Sequence, residues 1–174
     1  MDERSRQLIV GIDLGADMTQ ISVSIDKGEP ESISIVPNKS MYLIPTVLCV
    51  RNDTRDWIAG EEAIRLRNRD AGIFVSDILE KVENGTSVDI FGTPYSGNAL
   101  LDRFIRKVFA AVRQRYLQDE VAGVYVTVRE KTDVLKKAIE KAFESVGVST
   151  ENISVLSYME SFMYYAVRSE EHTF

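Results

Sequence analysis

Residues 8–25 constrain the fold most, because a short polar turn joins two apolar patterns of different kinds. Residues 8–12 form a continuous apolar run, which is typical of a strand buried on both faces. Residues 20–25 alternate polar and apolar side chains, which predicts the hairpin partner of that strand. The hairpin would place Asp13 and Gly15 together at the end of a central strand.

A carboxylate beside a glycine turn can hold a metal-bound phosphate. The carboxylate of Asp13 would face the cation, and exposed backbone N–H groups of the turn would face the anion. The simpler alternative is that Asp13 makes an ordinary turn contact and that Gly15 is the glycine of the turn. Both interpretations stay open at this point.

The first half of the chain predicts mostly short strands. Residues 32–36 alternate again, so residues 8–36 predict a three-stranded antiparallel meander. Residues 45–50 and 57–60 predict a peripheral hairpin, and residues 61–69 predict a helix. Residues 71–96 are ambiguous: 73–75 is a strand or the start of a helix running to Lys81, and 87–91 alternates weakly until Gly92-Thr93-Pro94 ends it.

The second half predicts helices alternating with strands. A long amphipathic helix from Asn98 carries apolar residues at three- and four-residue spacing. They are Leu100, Leu101, Phe104, Ile105, Val108, Phe109, Val112 and Tyr116. A strand at 123–128, a helix from Thr132 to Gly147, a strand at 153–156 and a helix from Ser157 to about Arg168 follow. In the helix after Thr132, Val134, Leu135, Ala138, Ile139, Ala142, Phe143 and Val146 share the predicted core face.

Crossover helices add strands parallel to one another, so the predicted fold class is α/β. It combines the antiparallel three-strand meander with later βα units in one mixed sheet. Helices lie on the faces of this sheet, and a small α+β insertion lies at its periphery.

Charge and composition exclude several classes of partner. The net charge of −6 argues against nucleic acid and against anionic membranes, since either would need a basic face. Cys49 is the only cysteine, so no internal disulfide forms, and a buried apolar role is expected for it. The acidic start does not fit a signal peptide, and no run approaches the roughly 20 apolar residues of a membrane span. These features predict a cytoplasmic protein.

The element order resembles the actin-like ATPase superfamily, whose fold is ribonuclease H-like. The similarity is greatest to the N-terminal lobe of the nucleotide-binding domain of heat shock protein 70 chaperones. The matching segments are Gly11-Ile12-Asp13-Leu14-Gly15, Ile44-Pro45-Thr46-Val47, Trp57 to Ala63, and the strand–helix–strand–helix run from Val124 to Glu160.

This resemblance implies a domain organisation and a function. Residues 1–174 would be a single N-terminal lobe, with a core at 1–37 and about 97–174 and a peripheral insertion at about 38–96. Its cofactors would be ATP and magnesium, with ATP enclosed between this lobe and a second one. The implied function is the N-terminal lobe of a chaperone-like ATP-binding protein.

The resemblance also implies residue roles. Asp13 would hold magnesium through its water shell, and Glu160 would orient the attacking water, so these two are the implied catalytic residues. The implied cofactor-binding residues are Gly11, Asp13, Leu14, Gly15, Ala16 and Thr19.

Several positions depart from the family pattern. Ala16 and Asp17 replace two threonines near the phosphates, Arg129 replaces a proline, and Met159 and Ser161 replace the neighbours of Glu160. The catalytic lysine has no secure counterpart. The second phosphate loop and the adenosine pocket lie outside this sequence, so we expect a fragment or a non-enzymatic domain, without ATPase activity by itself.

Alternatives remain beside the ATPase interpretation. Ser157 and Glu160 have the spacing of a helix capping box, which would give Glu160 a structural role. Asp17 is a common turn former. The aromatic residues at 158, 162, 164 and 165 are expected to pack in the core, and the single histidine, His172, is expected to be exposed without a function.

Two function classes result, an ATP-binding lobe and a non-catalytic protein-interaction scaffold on the same fold. Metal-dependent nuclease chemistry ranks third, because only Asp13 is well placed and the charge is unsuitable. The expected partners are a second ATPase lobe or, through the uncovered face, a second copy of the chain.

Overall fold

The structure is a computed structural model that describes residues 5–171, except for the side chains of Tyr165 and of residues 168–171. The strands are β1 (Gln7–Leu14), β2 (Met18–Ile25), β3 (Glu31–Ile33), β4 (Leu43–Pro45), β5 (Leu48–Arg51), β6 (Trp57–Ala59), β7 (Gly72–Val75), β8 (Ser87–Ile90), β9 (Thr93–Ser96), β10 (Glu120–Val128) and β11 (Ile153–Ser157). The helices are α1 (Glu61–Asn68), α2 (Ile78–Asn84), α3 (Gly97–Arg115), α4 (Asp133–Glu144) and α5 (Tyr158–Glu171), with a short 3-10 turn at Thr150–Asn152.

The main sheet has six strands and is mixed. Its order is β11-β10-β1-β2-β3. The sixth strand, β4, pairs with residues 18–20 of β2, and β3 pairs with residues 21–23 of the same strand. β1 pairs antiparallel with β2 and parallel with β10, which in turn pairs parallel with β11. This confirms the predicted α/β class, with an antiparallel meander followed by parallel strands.

The third strand is shorter than predicted. It ends at Ile33, because the Ser34 hydroxyl donates to the Val36 carbonyl and accepts from the Val36 N–H, both at 3.2 Å. This local turn removes Val36 from the sheet ladder.

The predicted strand at 45–50 is two strands. β4 joins the main sheet, whereas β5 belongs to a small antiparallel sheet of order β6-β5-β7. The break falls at Thr46, whose N–H donates to the Asp17 carbonyl at 2.8 Å and whose side chain also turns toward the β1–β2 hairpin. The predicted pairing of 45–50 with 57–60 holds for β5 and β6.

The ambiguous segment 71–96 contains two strand pairings and a helix. Residues 72–75 are strand β7 and not the start of a helix. β8 and β9 form a hairpin whose two loop residues, Phe91 and Gly92, have φ of 53° and 83°. Positive φ at both loop positions is typical of the tight hairpin turn, so the segment after Gly92 continues as a strand and does not end the pattern.

One face of the main sheet is covered by α3 and α4. All eight residues of the predicted α3 stripe are buried, and they share one core with Val10 and Ile12 of β1 and Val124 and Val126 of β10. Thr132 caps α4 as predicted, since the Leu135 N–H donates to its hydroxyl at 3.1 Å. Val134 was expected in the core and is 52% exposed, because the turn of about 100° from the buried Leu135 directs it toward solvent.

The predicted insertion contributes to the main core as well as to its own small sheets. Ile78 and Val82 of α2 and Ile90 of β8 pack in the main core, while Ala63 and Leu66 of α1 pack against Val47 and Cys49. Cys49 is fully buried, as predicted. The division of the chain into core and insertion stays a prediction. Within residues 5–171, no helix is both long enough and apolar enough to cross a membrane.

α5 differs from the other long helices. Its aromatic residues were expected to pack in the core, but Tyr158, Phe162 and Tyr164 are 42%, 64% and 67% exposed. The side chain of Tyr165 and all of His172 lie outside the described residues.

Candidate functional site

The candidate site lies at the carboxyl ends of β1, β10 and β11. These three neighbouring strands are parallel, so their carboxyl ends meet at one edge of the sheet, where open α/β sheets bind their ligands. β1 brings Asp13 to this edge, and the loop after β10 brings Arg129 and Lys131. The first turn of α5, directly after β11, brings Tyr158 and Glu160.

Asp13 is held by a tyrosine from the other end of the chain. The Tyr158 hydroxyl donates to Asp13 Oδ1 at 2.7 Å. Burial, and then the hydrogen bond to this carboxylate, raise the pKa of Tyr158 to about 12, although the charge of Arg129 acts in the opposite direction. The phenol therefore stays protonated at neutral pH and remains a donor to Asp13.

Glu160 is engaged at both carboxylate oxygens. The Ser157 N–H donates to Oε2 at 2.7 Å, and the Glu160 N–H donates to the Ser157 hydroxyl at 3.1 Å, which is a reciprocal capping box. Lys131 Nζ donates to Oε1 at 2.6 Å. The ammonium of Lys131, followed by the Ser157 N–H, lowers the pKa of Glu160. The capping-box interpretation is confirmed, and a role in orienting water stays a prediction.

The turn between β1 and β2 uses Gly15 for its own geometry. The Gly15 N–H donates to the Met18 carbonyl at 3.0 Å, so it is not available to a ligand. A Cβ at this position would lie 2.5 Å from the Met18 carbonyl oxygen, which no side chain tolerates. The turn itself therefore requires glycine here, without any need for a phosphate to approach.

Thr19 points into the protein. It is fully buried, and its hydroxyl lies 2.8 Å from the hydroxyl of Thr46, which donates in turn to the Gly15 carbonyl at 2.8 Å. Leu14 is also fully buried, in the main core. In this arrangement neither side chain reaches a ligand at the sheet edge.

Gly11 and Ala16 complete the predicted set. Gly11 is half-buried within β1, and a Cβ there would lie 2.8 Å from the Ser22 hydroxyl oxygen, the end of a small side chain. Ala16 is exposed in the turn beside Asp17. Among residues 5–171, the backbone N–H groups of Ala16 and Asp17 donate to no other group of the chain. The turn thus offers two free amides near the end of β1.

Sequence reasoning missed Tyr158 and Lys131 as members of the site. Tyr158 is 145 residues from Asp13, and Lys131 is 29 residues from Glu160, so no local motif links either pair. The available signal was topological. Residues that follow neighbouring parallel strands meet at the same edge of the sheet.

Several of the groups predicted to hold magnesium-bound ATP have other partners in the structure. No group of three or more His, Cys, Asp or Glu side chains within the described chain could hold a metal ion. One oxygen of Asp13 accepts from Tyr158, the Gly15 amide closes its own turn, and the Thr19 hydroxyl faces inward. As arranged, these groups of Asp13, Gly15 and Thr19 have partners within the chain, and their predicted role toward ATP and magnesium stays a prediction.

The fold and this edge define a mixed α/β protein whose polar groups at the sheet edge bond mainly to one another. The C-terminal model of DUF5716, a family of unknown function, matches residues 29–174, so the chain belongs to this family. The matched region includes Tyr158 and Glu160 and begins after Asp13. No curated protein matches the chain.

Proposed function

We propose that this chain is a non-catalytic protein-interaction domain built on an actin-like, ribonuclease H-like fold. One observation carries the proposal: the Tyr158 hydroxyl occupies Asp13 Oδ1. Asp13 is the residue that an actin-like ATPase would keep available for magnesium. With Oδ1 accepting from Tyr158, fewer of the acceptor sites of Asp13 are left for a cation or its water shell.

The sheet order supports the actin-like part of the proposal. The meander β1–β2–β3 is followed, after the intervening segment, by α3, β10, α4, β11 and α5, and β10 and β11 extend the sheet beyond β1. This is the order that the sequence resemblance implied. A fold alone does not carry a function, so the interaction role rests on the site and on the exposed helix α5.

The surface of α5 supports the interaction part. Its described side chains include several large apolar groups that are exposed to solvent. A group of large exposed apolar side chains on a protein commonly marks a place where another molecule binds. The buried Cys49 is in keeping with a reducing, cytoplasmic setting, which remains part of the proposal.

A second candidate is the ATP-binding lobe of a chaperone-like protein. It is favoured by the two free amides of Ala16 and Asp17 beside the carboxyl end of β1. Free backbone N–H groups are suitable anion donors. In this case a second lobe would supply the rest of the nucleotide pocket, and Tyr158 would have to release Asp13.

Titration calorimetry with magnesium-ATP separates the two candidates. We expect no heat of binding from the wild-type chain or from Tyr158→Phe, which frees Asp13 without removing the ring. Asp56→Asn, which removes an exposed carboxylate elsewhere, is the matched control for Asp13→Asn. Binding by the wild type that Asp13→Asn abolishes and Asp56→Asn leaves intact would establish the second candidate instead.

An ATPase assay on the same proteins tests the catalytic prediction. We expect no turnover above the background, because both oxygens of Glu160 are engaged. Turnover that disappears in Glu160→Gln, with the helix content of the variant unchanged, would contradict the non-catalytic assignment.

A further inference from the structure

The exposed apolar side chains of α5 form a continuous surface. Five of them, between 56% and 70% exposed, are named here the α5 stripe: Met159, Phe162, Met163, Tyr164 and Val167. Each residue of a helix is turned about 100° from the one before it. Met159, Met163 and Val167 therefore follow one row at four-residue spacing, and Phe162 and Tyr164 flank that row on its two sides.

The stripe is symmetric about Met163. Apolar residues lie one position before and after it, at Phe162 and Tyr164, and four positions before and after it, at Met159 and Val167. This pattern suits a two-fold contact, because apolar residues on one side of the axis then meet apolar residues from the other side. Two antiparallel copies of α5 would set Met163 against itself and Met159 near Val167 of the other copy. Each Phe162 would lie beside its equivalent on one side of the contact, and each Tyr164 beside its equivalent on the other.

The area of the stripe is suitable for such a contact. With about 200 Å² for each fully exposed side chain, the five expose roughly 600 Å², the upper limit of the largest patch on a typical monomer. If all five side chains were covered, two copies would together bury at most roughly 1,200 Å², the lower limit for specific, stable interfaces. Glu160 lies between this row and Tyr164 around the helix, and its carboxylate is paired with Lys131 Nζ at 2.6 Å, so burying the stripe leaves no unpaired charge.

We propose that the partner of this domain is a second copy of the same chain, bound through antiparallel packing of the α5 stripe about a two-fold axis at Met163. The proposal rests on the interaction function proposed above and names its partner. Rows at four-residue spacing from each helix interdigitate at a crossing angle of about −50°. The methionines near the axis are flexible enough to fill the space between the two helices.

Sedimentation velocity over a concentration series, from low micromolar to several hundred micromolar, gives the first test. We expect a monomer–dimer equilibrium for the wild type. Met163→Glu places two like charges opposite each other at the axis and should weaken the dimer about 100-fold or more. Leu117→Glu is the matched control, because Leu117 is 80% exposed and lies between α3 and β10, outside the α5 stripe. Circular dichroism checks that both variants fold.

Charge exchange tests the position of the axis. Met163→Glu and Met163→Lys should each be monomeric alone, and a mixture of the two should form a heterodimer, because opposite charges then face each other. Met163→Cys should cross-link to dimers with a short bifunctional maleimide, whereas Leu117→Cys should not. The native Cys49 is fully buried and does not compete for the reagent.

A wild-type chain that is monomeric at every concentration would overturn the inference. So would a dimer that Met163→Glu leaves unchanged. The calorimetric titration with magnesium-ATP is run on the same samples. A monomer that binds no ATP removes the self-association proposal alone, while ATP binding that depends on Asp13 removes the proposed function whatever the mass.

Discussion

Helices α3 and α5 both carry rows of apolar side chains, and the two helices are used in opposite ways. The stripe of α3 is at most 9% exposed, because α2, α4 and the main sheet cover it. The α5 stripe is at least 56% exposed. The comparison shows that apolar periodicity identifies the face of a helix but not the chain that covers it. The rest of this chain covers the apolar face of α3, and we propose that a second copy of the chain covers the α5 stripe.

Truncation of one phenylalanine in each helix gives the largest expected difference. Phe104 of α3 is fully buried, so Phe104→Ala should lower the free energy of unfolding by about 3–5 kcal/mol. Phe162→Ala should change it by less than about 0.5 kcal/mol in the monomer, because the ring is exposed. Urea denaturation at low protein concentration measures both. Similar losses in the two variants would contradict the comparison.

The same contrast holds for two hydroxyl contacts. Thr19 and Thr46 are fully buried and paired, so Thr46→Val leaves the Thr19 hydroxyl without its partner and should cost about 1–3 kcal/mol. The double variant Thr19→Val/Thr46→Val should recover part of this loss, because no buried hydroxyl is then unpaired. Tyr158→Phe removes a partly exposed contact. In the same urea series it should lower the free energy of unfolding by less than Thr46→Val or the double variant does.

The N-terminal caps of α4 and α5 should also differ in their effect on stability. Thr132→Ala removes the cap of α4, a helix with a buried face, and should lower global stability by about 1 kcal/mol. Ser157→Ala removes the equivalent cap of α5. It should raise hydrogen exchange within α5 with little change in global stability, because α5 packs little against the rest of the monomer. Exchange that also rises in the main sheet would show that α5 supports the core.

Acid gives the smallest and most local effect. The pKa of Glu160 is lower in the folded chain than in the unfolded one. Its contribution to the stability of α5 is therefore complete above its ordinary pKa of about 4.3, and this contribution is lost as pH falls through the folded value. Hydrogen exchange in α5 should therefore rise below about pH 4.3. α3, whose cap is the neutral Ser96 and whose first turn has no acidic residue, is the internal control. Glu160→Gln should remove the pH dependence in α5.

Local patterns were enough to predict most of the fold. The two strands of the first hairpin, the α3 stripe, the Thr132 cap and the capping box at Glu160 each depend on residues a few positions apart. Their physical cause lies within the predicted element itself, so the sequence contains it. The fold class follows from their order.

Contacts between distant residues account for what was missed. Thr46 separates β4 from β5 through bonds to Gly15, Asp17 and Thr19, which lie about thirty positions earlier. The contact between Tyr158 and Asp13 is of the same kind. Thr19 likewise has its hydrogen-bond partner outside its own hairpin, at Thr46 between β4 and β5, and the cofactor contacts stay a prediction.

The parallel pairing of β1 with β10 has a consequence for how the chain folds. Gln7 and Glu120, at the start of this pairing, are 113 residues apart. Contacts between such distant residues are slow to form, because a long loop must close before any of them is gained. During synthesis the β1–β2 hairpin is therefore made early and keeps one edge of β1 unpaired until β10 has been translated. The middle of the sheet therefore closes late, and the nascent chain must protect the unpaired edge of this apolar strand from aggregation in the meantime.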